Sequence, residues 1–226
     1  MFKILSIIVG LMLIPTWVNA NTCALNFNNS INFDSNQRTC DLYMEITKIL
    51  TDEQNDFLKE NKINVQKYPT LNLYQPGFSN VKGFHVFETS TIHVPYHYQF
   101  DLEDIFFKVP VTPDVVDSFV THELAHAVVF KLMADTASEL TLAWHEFAAY
   151  CVQFHLMPEY LREEIVNNYK NEFAFKSEYH VTDLHYIMAP NEFAVKSWLT
   201  CQERGVETMI QKIINNDVAV MRAWGN

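Results

Sequence analysis

The strongest constraint on the fold is a segment that is apolar on nearly every side yet carries two histidines and a glutamate. Between residues 112 and 133, Val115, Phe119, His122, His126, Val129 and Met133 fall along one helical stripe, while Val116, Val120, Leu124, Ala127 and Val128 occupy the other faces. A helix of this kind offers little to water and is expected at the centre of a core. Its start is marked by Thr112 as N-cap, Pro113 at the first helical position and Asp114 beside the positive end of the dipole. Inside it stands His122-Glu123-Leu124-Ala125-His126, which places two imidazoles at i and i+4 on one face with a carboxylate beside the first. Buried polar groups without partners cost about 1–3 kcal/mol each. One metal ion would satisfy all three side chains, whereas two core histidines bonded to carbonyls would leave Glu123 unexplained.

The next helix supplies a third donor. Thr136-x-x-Glu139 reads as a capping box, followed by Leu140, Ala143, Trp144, Phe147, Ala148 and Cys151 on apolar faces. A turn near Asp135 would let this helix run back past the first and aim Glu146, twenty residues after His126, at the two imidazoles. His145 competes for that role but lies about 100° away around the helix, so one of the pair is expected to face the site.

His122, Glu123, His126 and Glu146 together resemble the pattern of the gluzincin zinc peptidases, in which a glutamate on the following helix completes H-E-x-x-H. Glu146-Phe147-Ala148-Ala149 matches the E-x-x-A of many members, and Trp144 and Tyr150 are similar to aromatics flanking that glutamate in small gluzincin-like domains. The resemblance spans about residues 112–153. It implies a zincin-like α+β fold holding one Zn2+ on His122, His126 and Glu146, with a fourth position left for water. Glu123 would act as general base toward that water, and a peptide would be the substrate, lying along an edge strand for which Phe84–Val94 is the candidate. The donor for the developing oxyanion, commonly a Tyr or His after the third ligand, would come from Tyr150, His180, His185 or Tyr186. Two positions depart from family patterns. Phe147 stands where a glycine often follows the third ligand, and Tyr150 where thermolysin-type chains have an aspartate. The aminopeptidase segment G-x-M-E-N is absent, while a metzincin would need glycine and histidine where Val129 and Leu132 stand. The group that orients the histidines from behind is therefore not given by the motif.

Around this centre the chain reads as an N-terminal sheet-containing lobe over 21–110 and a helical lobe over 111–226. Residues 21–38 read as extended, Asp41–Leu50 as helix, and a Thr51-x-x-Gln54 capping box as opening another. Period-two alternation at Ile63–Val65 and Leu71–Leu73, and the β-branched run Phe84–Val94, predict strands, with a turn at Pro76-Gly77. Helical character returns over 159–168 and 193–214.

Residues 1–20 have the parts of a secretory signal: Lys3, an apolar run from Ile4 to Leu13, and Val18-Asn19-Ala20 before the cleavage point. The run is short for a membrane span and Pro15 breaks it, so a secreted or periplasmic chain with no stable anchor is expected. Its four cysteines then suggest two disulfides; of three possible connectivities, proximity favours Cys23–Cys40 and Cys151–Cys201. A net charge of −11 argues against nucleic acid as partner. The main alternative to a peptidase is a catalytically inactive exported binding or effector protein of the same fold, for which Glu123 would have no use.

Overall fold

The computed structural model describes residues 25–27, 33–51, 57, 62–68, 83–95, 105–133, 136 and 139–219. The fold is α+β. Four strands, β1 (Leu25–Phe27), β2 (Ile63–Tyr68), β3 (Phe84–Val86) and β4 (Thr91–Pro95), form a sheet in the order β1-β2-β4-β3. The first three in that order run parallel, and β3 lies antiparallel at the edge. Ile63, Val65, Ile92 and Val94 are almost fully buried, so alternate residues of the two central strands face the core.

Helix α1 (Phe33–Leu50) packs on helix α2 (Pro113–Met133), which in turn packs against β3 and β4 of this sheet. The expected apolar helix is thus real and central: fourteen of its residues are buried, from Val115 to Met133. Thr112 caps it, its hydroxyl accepting from the Val115 N–H at 3.4 Å. The N-terminal half of the chain departs from the sequence reading in two places. α1 begins at Phe33 rather than Asp41, because a buried face of Leu42, Tyr43 and Ile46 continues one turn back through Thr39 and Cys40, and because Arg38 pairs with Asp117 of α2 at 2.7 Å. The run Phe84–Val94 is a hairpin and not one strand. It folds at Phe87–Ser90, where Ser90 takes φ 48° and donates its N–H to the Phe87 carbonyl, and Asn64 of β2 holds the turn through Thr89 and Ser90. The strand at 71–73, the turn at 76–77, residues 52–54 of the Thr51–Gln54 box and the leader lie outside the described residues.

A two-stranded ribbon, β5 (Ile105–Phe106) and β6 (Val109–Pro110), leads into α2. Its tip residues Phe107 and Lys108 both have positive φ, 50° and 63°, as a tight hairpin turn requires. Neither is glycine, and Phe107 compensates by burying its ring against Phe154 in a second apolar cluster with Val115, Phe119 and Trp198.

Among the described residues five α-helices follow, α3 (Leu142–Leu156), α4 (Glu159–Asn168), α5 (Asp183–Met188), α6 (Pro190–Arg204) and α7 (Val206–Ile214), with a 3-10 turn at Glu178–His180. The Thr136 capping box does not form. Thr136 instead donates to the Met133 carbonyl and closes the end of α2, while α3 starts six residues later. Its first turn is capped from a distance by Asp183, whose carboxylate accepts from the Ala143 N–H at 2.7 Å. The predicted helix over 193–214 is split at Gly205, whose φ of 89° suits only glycine. Cys151 of α3 is bonded to Cys201 of α6, as expected from proximity, closing a separation of 50 residues that stabilises by about 2–4 kcal/mol. Cys40 is disulfide-bonded as well; its expected partner, Cys23, lies outside the described residues. Among the described residues, no helix is long and apolar enough to cross a membrane.

Candidate metal centre

α2 and α3 pack side by side, and their facing turns bring the three expected donors together. His122 Nε2 and His126 Nε2 stand 3.1 Å apart. The Glu146 carboxylate straddles them, with Oε2 at 3.3 Å from His122 and Oε1 at 3.6 Å from His126. A tetrahedral ion with ligands at about 2.0–2.1 Å separates its donors by about 3.3 Å. The observed spacings bracket that value, and among the described residues no other trio of such donors lies so close. The residues present therefore fit zinc in both chemistry and spacing. His145, one position earlier, lines the same cleft but turns toward Phe87, with ring centroids 5.8 Å apart.

The group behind the first histidine is Gln153, which the motif did not reveal. Its Oε1 lies 3.0 Å from His122 Nδ1, and its own Nε2 donates to Ser118 Oγ at 3.1 Å. Ser118 in turn donates to the Val115 carbonyl, so its oxygen is free to accept. This chain of donors fixes the amide orientation, puts the proton of His122 on Nδ1 and leaves the Nε2 lone pair directed at the cleft. A signal for it exists in the sequence: Gln153 is seven residues after Glu146, two helical turns on and the same face. Substituting Gln153 with alanine should weaken zinc binding by about 10- to 100-fold with all three donors intact, as measured by competition with a chromophoric chelator. Unchanged affinity would make the amide a packing group only.

The four ionisable groups of the site strain against one another. Burial drives His126 down to about 3 against the pull of Glu146. Burial also opposes protonation of His122, but the hydrogen bond and charge of Glu146 more than offset it and raise that group. Glu146 itself is pushed up by burial and pulled down further by the two imidazoles, ending below the usual carboxylate range. Glu123 is pushed up to about 8 by burial, with the neighbouring Glu146 charge adding to it. A dication at the three donors would reverse these preferences, favouring neutral imidazoles and ionised carboxylates.

These groups line one cleft of 430 Å³, walled by Gly83 and Phe84 of the sheet edge, Phe119 of α2, Tyr150 of α3 and Tyr186 of α5. Gly83 is there for want of a side chain: a Cβ would stand 2.7 Å from Glu123 Cγ. Tyr186 hydrogen-bonds the Glu146 carboxylate, and burial together with that charge holds its phenol well above the usual range. One turn earlier in each helix, Asp183 caps α3, so α5 is fastened to α3 by two contacts three residues apart. Tyr150 is pushed up by burial and packs its ring on His122 at 4.6 Å. Of the four proposed oxyanion donors, Tyr150 and Tyr186 line the cleft. His180 instead pairs with Ser177 at 2.9 Å, and His185 packs against Phe175 and Phe193.

Residues 33–223 match a family model described as a family of unknown function, DUF6639. No curated protein and no solved structure matches the chain.

Proposed function

We propose that this chain, which belongs to the DUF6639 family of unknown function, is an exported zinc-dependent peptidase of zincin-like architecture. The observation that carries the reading is the convergence of His122, His126 and Glu146 at tetrahedral donor spacing, with Glu123 buried in the same cleft. A three-residue donor set leaves one coordination position open, which is the arrangement of catalytic rather than structural zinc. Zinc held there supplies Lewis acidity toward a water and a scissile carbonyl.

The chain's own residues do the rest. Glu123 accepts the proton of the attacking water and returns it to the leaving amine, and the backbone of Gly83 keeps its carboxylate dry on one side. Gln153 holds His122 in the tautomer that presents Nε2. Tyr186, already an O–H donor at the cleft wall, is the better placed of the two tyrosines to turn its hydrogen bond to the developing oxyanion; Tyr150 is committed to packing against His122. Among the described residues β3 is the edge strand of the sheet and borders the cleft, so an extended peptide can add to it as a further strand.

The leader-like residues 1–20 and the disulfides support export to the periplasm or cell exterior. The test is peptide cleavage by the purified chain: activity should vanish with a chelator and return with one equivalent of zinc. Chelator-resistant cleavage would reject a metal-dependent reaction.

A further inference from the structure

One polar side chain of the cleft has no part in this scheme. His85, the middle residue of β3, points from the sheet toward α2 and lies among aromatic rings, with centroids 4.7 Å from Phe87 and 6.0 Å from Phe130. Both of its ring nitrogens are shielded from water, and among the described residues neither has a hydrogen-bond partner. Orphaned polar atoms of this kind are rare in folded proteins and ask for an explanation. Packing alone would be served better by a leucine or phenylalanine. Yet His85 lines the same cleft as the metal donors.

We propose that His85 is a specificity-determining residue that hydrogen-bonds a substrate side chain ending in a carboxylate or carboxamide oxygen, at the end of the cleft where its ring packs against Phe87 and Phe130. Leu142 and His145 line the same cleft, and Leu142 is 46% exposed. The Phe87 ring, 39% exposed on the β3–β4 turn, packs edge-on against His85 and would have to yield for a side chain to reach its nitrogens. An acceptor oxygen is the matching chemistry for two reasons. Burial holds the imidazole neutral, its pKa lowered to about 4, so one nitrogen always carries a proton to donate. The charged and titratable groups acting on it, Lys131, His145 and His93, are all basic, which disfavours a lysine or arginine side chain and favours an oxygen acceptor.

Calling the ligand a substrate rests on the peptidase reading, but the binding experiment needs no turnover. The full chain, stripped of metal, is titrated with the N-acetyl amides of glutamate, glutamine and methionine while the histidine ring nitrogens are followed by NMR. His85→Ala supplies the resonance assignment. The glutamate amide, the glutamine amide or both should move the His85 nitrogens and bind about tenfold more tightly than the methionine amide. The two oxygen-bearing probes separate carboxylate from carboxamide recognition. His85→Ala should lose the preference and His85→Asn should restore part of it. Equal binding of all three amides, an unmoved His85 at saturation, or a preference that survives in His85→Ala would each overturn the proposal. Failure of the wild type to cleave any peptide would refute the hydrolase and leave this titration standing.

Discussion

Glu123→Gln should keep one zinc per chain while lowering kcat/KM for peptide cleavage by on the order of 10²–10⁴-fold, the range typical of a lost general base. The substitution is a clean probe for a physical reason. Glu123 is buried but is not one of the three donors, so an uncharged group of the same shape removes no ligand. An amide matches the protonated acid in size, and Gly83 leaves room for either. Folding should therefore change little. The loss should fall on kcat, because the carboxylate acts on a proton that moves only as the reaction proceeds. Kinetics beside zinc content by mass spectrometry check both halves. Full activity in Glu123→Gln would remove that residue as the base; inactive wild type with bound zinc would favour the binding-protein alternative.

Glu146→Ala should have the opposite signature, with metal lost first and activity following. It deletes the only anionic donor of the three and leaves two imidazoles whose Nε2 atoms face each other at 3.1 Å. Zinc affinity should fall on the order of 10³-fold, beyond the 10- to 100-fold expected when a group behind a ligand is lost. The Tyr186 hydroxyl loses its acceptor in the same variant, while the link from Asp183 to α3 remains. Helix α5 should thus stay docked, and circular dichroism should register little change. Competition with a chelator of known affinity makes the measurement. Zinc binding unchanged in this variant would mean that the ion, if any, sits elsewhere.

What the sequence made legible was the part governed by local periodicity. The buried helix around His122, the glutamate twenty residues on, and the bond between Cys151 and Cys201 all follow from spacing along one or two helices. The parts that escaped depend on distant residues. Thr136 looked like an N-cap, but the carbonyl left open at the end of α2 claimed its hydroxyl, and Asp183, forty residues away, satisfied the start of α3. The hairpin at Phe87–Ser90 was hidden because its flanks are all β-formers and no glycine marks the turn. Gly83 is indistinguishable from a loop glycine until Glu123 is found beside it. Gln153 was within reach, since two helical turns separate it from Glu146, but a glutamine carries no charge to draw notice.

The central claim is that His122, His126 and Glu146 close on one ion. Anomalous diffraction at the zinc edge, from crystals grown with one equivalent of zinc, tests it most directly. The account predicts a single peak within about 2.0–2.2 Å of His122 Nε2, His126 Nε2 and a Glu146 oxygen, with Glu123 outside the coordination sphere. A peak elsewhere, or one in which Glu146 is turned away from the imidazole pair, would contradict it.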